Sequence, residues 1–373
     1  MSGLGLAGVD VGGGGIRARI ESEEGPAYGE NTSPAPRTGG RVDLARLAAD
    51  ITTVIENATR AGGWADGRRD THRLADGRAD PARGPGRLAG MAIGVTGMPG
   101  LIKEPEPLWH ALRERFELGA LAVAGDTVTT HVGALGFRPG VVVAAGTGVI
   151  TLGTDLDRVW NQSDGWGHLL GDHGSGAWIG MHGLQAALRA YDGRGGGSPA
   201  LLERLTARFG HPLDLVALVY ESASPAHHLA SFAPSVADAA HEGDPVARAI
   251  WDEAGRQLAQ AAVAAATGVE PVISWGGRLF DAGDLLMEPF LAAVRALLPE
   301  ARPTPPQGTS VDGALALARA AARGELRSRH PYLYVFTADR STDQITDRSA
   351  DRSADRSADR GAERSGTPSP RTP

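Results

Sequence analysis

No cysteine occurs among the 373 residues, which removes a disulfide framework, a thiolate zinc site, an iron–sulfur cluster and a cysteine nucleophile in one step. Aromatic residues are scarce at 5%, and no uninterrupted apolar run approaches the ~20 residues that a membrane-crossing helix needs. The opening MSGLGLAGVD has no basic start and already carries an aspartate, so a cytoplasmic protein is expected. Positive charge is short as well. With a formal net charge of −7 and no basic face over the folded segments, neither nucleic acid nor a membrane is expected as a partner.

The hydrophobic share, 42% of a long chain, is enough for one large or two moderate cores, and two lobes are the expectation. Much of the excess of glycine (52) and proline (24) sits in segments that read as unfolded. One is a surface insertion at about 64–87, WADGRRDTHRLADGRADPARGPGR. The other is 337–373, where an Asp-Arg-Ser-Ala unit repeats with almost no apolar content; it cannot bury enough surface to offset its ordering entropy and reads as a disordered tail.

Between these segments, strand and helix patterns alternate. GLAGVDV and IRARIES predict a hairpin, and the spacing over 42–63 predicts an amphipathic helix. MAIGVTG and LAVAGDT read as short strands, VVVAAGTG and VITLGTD as a strand pair, and PVISWGG as a strand ending in a glycine turn. Helical periodicity covers 247–268 and 312–326. The order is α/β with a hairpin opening each half, not a simple βαβ series.

Three glycine turns follow strands: Gly12 to Gly15, Gly146-Thr147-Gly148, and Gly276-Gly277. Without a Cβ, main-chain N–H groups can approach an anion closely, so three such turns point to a nucleotide in a cleft. Each alone could be only a tight turn. Gly3-Leu-Gly5-Leu-Ala-Gly8 matches a dinucleotide fingerprint in letters but has no strand before it, and no P-loop pattern occurs.

GVDVGGGGIR, VVAAGTGVIT, DGWGHLLGDHGSGAWIG and VISWGGRLF, in that order, resemble the BadF/BadG/BcrA/BcrD-type ATPase family, in particular its N-acetylglucosamine kinase branch, over roughly residues 6 to 325. The resemblance implies an α/β, two-lobed actin-like ATPase (ribonuclease-H-like) fold with a central cleft: an N-terminal lobe over 1–135, and a C-terminal lobe over 136–326 whose last helix returns to the first. It further implies ATP and Mg²⁺ as cofactors. Asp10 would hold the metal, with Gly12, Gly13 and Gly14 around the terminal phosphates. Gly146, Thr147 and Gly148 would form the second phosphate turn, and Gly276 and Gly277 would pass the adenosine. Asp126 would be the catalytic base and a sugar contact, with Thr147, Trp166, Gly167 and Asp172 as further sugar contacts. The expected partners are ATP and a free sugar, with a homodimer as the candidate assembly.

Residue chemistry leaves rivals beside these roles. Asp126 and Asp172 each stand before a helical pattern and could be N-caps, and Trp166 between glycines could be a packing plug. The chain departs from the family at Gly14, where a threonine or serine is usual, and at His173, where a glutamate is usual. His168, Asp172 and His173 lack the defined ligand set of a zinc site. The functional expectation is an ATP-dependent amino-sugar kinase, with N-acetylglucosamine as substrate and C6 as the acceptor position. The rival is a catalytically weak sugar- and ATP-binding sensor or regulatory ATPase. A radical-enzyme activator of the same family needs cysteines to hold an iron–sulfur cluster, and the chain has none.

Overall fold

Asp10 lies on the first strand of a hairpin, and the glycines after it make the turn. In the computed structural model β1 (Gly5–Gly12) pairs antiparallel with β2 (Gly15–Ser22), and β2 with β3 (Gly25–Asn31). The described residues are 5–33, 35–38, 41–62, 87–222 and 224–338; the insertion expected at 64–87 and the repeat tail fall outside them, apart from Arg87, Thr337 and Ala338. Met1–Phe336 is one unit and Thr337–Pro373 a second, and the sheets and helices build the first.

Two two-residue strands, β4 (Arg37–Thr38) and β5 (Arg41–Val42), lead into α1 (Leu44–Ala61), whose N-cap Asp43 accepts from the Arg46 N–H. Leu47, Ile51, Val54, Ile55 and Ala58 form its buried stripe. The helix lies so close to β3 that a Cβ on Gly29 would come within 2.7 Å of the Val54 carbonyl oxygen. Next come β6 (Leu88–Val95), α2 (Glu106–Phe116), β7 (Ala120–Gly125) and α3 (Asp126–Leu135). Here β1, β6 and β7 run parallel, side by side. The six-stranded sheet is completed by β13 (Leu333–Thr337), in the order β13-β7-β6-β1-β2-β3.

A second sheet comes after α3, with β8 (Gly140–Ala145), β9 (Val149–Thr154) and β10 (Trp160–Ser163) as an antiparallel meander. Six helices then run in succession: α4 (Gly176–Tyr191), α5 (Pro199–Phe209), α6 (Asp214–Tyr220), α7 (Pro225–Ala230), α8 (Ala233–His241) and α9 (Pro245–Ala265). The chain returns through β11 (Val272–Gly276), a 3-10 turn at Arg278–Ala282, α10 (Asp284–Leu297) and β12 (Arg302–Pro303). The order β10-β9-β8-β11-β12 places β11 parallel to β8. Finally α11 (Ser310–Ala322) opens on a capping box between Thr309 and Asp312.

Close backbone contact sets the position of α11. A Cβ on Gly8 would stand 2.5 Å from the Leu315 N, and Gly313 of α11 meets Thr129 and Gly133 of α3 with no room for a side chain. Three apolar clusters result: one built around α4–α10 and the second sheet, one around α1, α2 and the first sheet, and one in which α3 and α11 meet both sheets.

Expected elements recur with trimmed ends. The helix expected over 42–63 spans 44–61, and that expected over 312–326 spans 310–322, ending where Gly324 takes φ +71°. The dinucleotide-like letters at 3–8 run into β1, and no helix opens on them.

Candidate active site

Parallel strands end together on the first sheet. Val11 pairs with Val95, and Val95 with Gly125, so Gly12, Thr96 and Asp126 leave the carboxyl ends of β1, β6 and β7 side by side. The Thr96 N–H donates to the Val11 carbonyl (2.9 Å). Crevices outside the carboxyl ends of such strands are where α/β sheets bind ligands.

Asp126 is the first residue of α3, and the N-cap is Gly125, whose position carries no side-chain cap. Capping by the aspartate as N-cap residue is therefore ruled out. Asp126 is half-buried, and the packing around it desolvates the carboxylate. Burial, reinforced by the neighbouring Asp10 charge, pushes it up to about 7, against hydrogen bonds from the Thr127 N–H and the Thr96 hydroxyl. Asp10 is 9% exposed. Burial raises it too, opposed by the Ser310 hydroxyl at the start of α11 and by Arg17, whose guanidinium stands 3.9 Å away. The Asp10 charge thus disfavours ionisation of the neighbouring Asp126.

The glycines of the first turn are not equivalent. Only Gly15 has a left-handed backbone, φ +125°, and a Cβ there would also run into Asn31 and Thr32 of the neighbouring chain segment. Gly13 faces the second turn, its Cβ position 3.7 Å from the Thr147 Cβ, whereas nothing lies within 4 Å of a Cβ on Gly14. The second turn leaves β8, closed by the Gly146 N–H to the Gly148 carbonyl (2.8 Å). Its Gly146 and Thr147 carbonyls accept from the Gly176 and Ala177 N–H groups of α4 (2.8 and 2.9 Å). At the third turn, Gly277 has φ +94° and its backbone crowds Ala145, while a Cβ on Gly276 would come 2.5 Å from the Thr130 methyl. The three turns therefore gather at the carboxyl ends of β1, β8 and β11, the first two in direct apposition.

Asp172 is buried and left-handed (φ +55°). The α4 N-cap is Ser175, so Asp172 is not the cap. Its carboxylate accepts from the Gly167 N–H (3.0 Å) and presses on Gly148, where a Cβ would lie 2.6 Å from Oδ2. Burial pushes it up to about 6, with the Gly167 N–H opposing and Asp164 adding to the rise. It thereby ties the loop carrying Trp166 and Gly167 to the second glycine turn. Trp166 is 69% exposed, so it plugs nothing in this structure.

Asp164 is the residue that the motif reading missed. Its carboxylate accepts three backbone N–H groups, from Gly165 (2.8 Å), Asp172 (2.7 Å) and His173 (2.9 Å). The His173 ring, half exposed, stands 3.5 Å from the same carboxylate. An Asp-Gly step is a turn signal, but nothing local says that its carboxylate will close a loop eight residues on. Ser310 lies two residues ahead of the helical pattern expected from 312, and Thr96 carried no signal. A cavity of about 320 Å³ is lined by Val128, Trp160, Leu317 and Arg329 among others, and by none of the residues above.

A family model described as the BadF/BadG/BcrA/BcrD ATPase family matches residues 7–297. Over 217 residues, 56% of this chain and 70% of the relative, the sequence is 29% identical to the N-acetylmuramic acid/N-acetylglucosamine kinase of Clostridium acetobutylicum. The crystal structure of a proposed N-acetylglucosamine kinase from Chromobacterium violaceum is similar at a TM-score of 0.63 and 27% identity, covering 85% of this chain and 100% of that one. A ROK family glucokinase from Streptomyces griseus, crystallised with glucose and AMPPNP, shares the fold at a TM-score of 0.55 and 18% identity, over 84% of this chain and 98% of its own. The α/β, actin-like fold expected from the sequence is borne out.

Proposed function

The chain belongs to the BadF/BadG/BcrA/BcrD ATPase family, and from that premise we propose that it is an ATP-dependent amino-sugar kinase, transferring the γ-phosphoryl group to the C6 hydroxyl of N-acetylglucosamine. The observation that carries the reading is the apposition of two glycine turns, Gly13 against Thr147, beside a pair of enclosed carboxylates, Asp10 and Asp126. The relative from Clostridium acetobutylicum, a kinase of amino sugars, supports the substrate class.

In the proposed reaction a P–O bond forms to the sugar O6 as the bond from the γ-phosphorus to the ADP oxygen breaks, and the hydroxyl proton passes to Asp126. Phosphoryl transfer asks the protein chiefly for positioning, charge neutralisation and a proton acceptor. A value of about 7 leaves Asp126 largely able to take a proton at mildly alkaline pH and able to release it afterwards. Gly12 to Gly14 offer backbone N–H groups to the phosphates, as do Thr147 and Gly148 in the second turn that the Gly146 N–H closes, with Gly276 and Gly277 beside the adenosine. Thr147, Trp166, Gly167 and Asp172 meet the sugar; a carboxylate has about four acceptor sites, so Asp172 retains capacity for sugar hydroxyls.

Asp10 is the residue that would hold Mg²⁺. Among the described residues no group of three or more His, Cys, Asp or Glu side chains gathers as a metal cage, which fits a hard cation held by one carboxylate, waters and the substrate's own phosphates. When bound, the ion neutralises charge on the β- and γ-phosphates. No helix among the described residues is long and apolar enough to cross a membrane, and the proposed setting is the cytoplasm.

ADP release measured over N-acetylglucosamine, glucosamine, N-acetylmuramic acid and glucose tests the proposal; stimulation by N-acetylglucosamine above the others is expected, and none by any sugar would overturn it. The all-glycine first turn favours one second reading, a sugar- and ATP-binding sensor of low turnover, which saturable binding without turnover would select.

A further inference from the structure

Arg17 is the one cation, among the described residues, within ion-pair distance of either enclosed carboxylate. It faces Asp10 across the β1–β2 ladder and lies two residues beyond the first phosphate turn. Its neighbour on the same face, Arg19, is engaged through both terminal nitrogens, Nη1 by Asp312 at 2.5 Å and Nη2 by Glu21 at 2.7 Å. Arg17 is not. Its contact with Asp10 is long at 3.9 Å, its side chain is 44% exposed, and although Glu30 stands opposite on β3 no ion pair with it forms. At that distance the pair makes no hydrogen bond, which gives a weak structural reason for a guanidinium at this position.

The turn it adjoins explains the position better. Residues 12 to 15 are all glycine, so the loop offers backbone N–H groups and no side-chain donor, and nothing fills the space over Gly14. Charge on the transferring phosphoryl oxygens is what a kinase site has to meet, and a guanidinium presents five donors in a planar fork suited to phosphate. Resting on the kinase reading, we propose that Arg17 is a catalytic residue whose guanidinium donates to the γ-phosphoryl oxygens of ATP, supplying from β2 the side-chain donor that the all-glycine turn lacks.

The test compares nucleotides that differ by the γ-phosphate. Affinities of ADP and of the non-hydrolysable β,γ-methylene analogue of ATP are measured by calorimetry with Mg²⁺ for the wild type, Arg17→Met and Arg17→Lys. A hydrogen bond to a charged group such as the γ-phosphate is about 10-fold or more in affinity. Arg17→Met should therefore weaken the triphosphate about 10-fold while ADP changes less than about 3-fold, with Arg17→Lys between them. Adding Gly14→Thr to Arg17→Met should restore part of the lost triphosphate affinity. If Arg17 acts only through Asp10, both nucleotides weaken together; that result, or no change in either, overturns the proposal. Because the readout is binding, it fails independently of the kinase reading, which stands or falls on sugar-stimulated ADP release by the wild type.

Discussion

Asp126→Asn separates the chemistry of the site from its effect on stability. The carboxylate rises from 3.8 to about 7 on folding, so the folded chain binds this proton more tightly than the unfolded chain. Stability from the protonated form is therefore complete below about pH 4 and is lost as pH rises toward 7. At 1.36 kcal/mol per unit, about three units correspond to ~4 kcal/mol of penalty at pH 8. The residue keeps some solvent access, and screening there reduces the figure to about 2 kcal/mol. Asparagine is nearly isosteric and carries no charge. It should raise Tm at pH 8 by about 3 °C for a unit of this size, and the advantage should vanish near pH 4. In the same variant, sugar-dependent turnover should fall to background while nucleotide still binds, and the wild-type kcat/KM for sugar should climb through pH 7 to a plateau. Differential scanning calorimetry at pH 4 and 8, beside a pH–rate profile, makes the measurement. A stability difference between the two proteins that is the same at both pH values would refute the desolvated carboxylate, and retained turnover would remove Asp126 as the base.

Other substitutions probe the turns and the loop. Gly14→Thr finds open space and an unstrained backbone, so it should fold as well as the wild type and raise kcat/KM for sugar about 10-fold by adding a donor; an unchanged value would show that no hydroxyl is missed. Gly15→Ala meets both a left-handed backbone and the Asn31 carbonyl, and should lower stability by about 2–4 kcal/mol in urea unfolding, an effect that Gly14→Ala should not share. Asp164→Asn leaves one side-chain oxygen for three backbone donors; losing one such hydrogen bond costs about 0.5–1.5 kcal/mol, and the loosened loop should raise KM for sugar at least several-fold with smaller change in ATP affinity. Equal effects on both substrates would place Asp164 in general packing instead.

How much was legible in the sequence depends on how local each signal is. A glycine turn at the end of an apolar run is written within ten residues, and all three turns stand where that pattern put them, at the carboxyl ends of β1, β8 and β11. Fold class was legible for the same reason, because strand and helix periods need no distant partner. Roles that depend on tertiary contact were not. Capping stood as a rival to the base role of Asp126 and the sugar role of Asp172; Gly125 and Ser175 hold the N-cap positions, a difference of one to three residues that periodicity does not resolve. Asp164 closes its loop by bonds to residues eight and nine positions on, a distance beyond any turn template.

The same distinction changes how the four glycines after Asp10 are understood. Read as letters they form one flexible phosphate loop. Their surroundings divide them: Gly15 is fixed by backbone geometry, Gly13 lies at ordinary contact distance from Thr147, and Gly14 is held by nothing in its vicinity. A residue that neither conformation nor packing requires is free to change, so a side-chain donor lost at 14 has no structural cost, and one placed on an adjacent strand can answer for it. The hairpin supplies such a position. Its Gly12–Gly15 pairing fixes the register that sets Arg17 opposite Asp10, so the two-residue turn decides which cation stands beside that carboxylate and, on the proposed function, beside the phosphates. Lengthening the turn by one residue should move every β2 side chain to the other face, taking Arg17 away from Asp10 and abolishing the discrimination between ATP and ADP together with turnover.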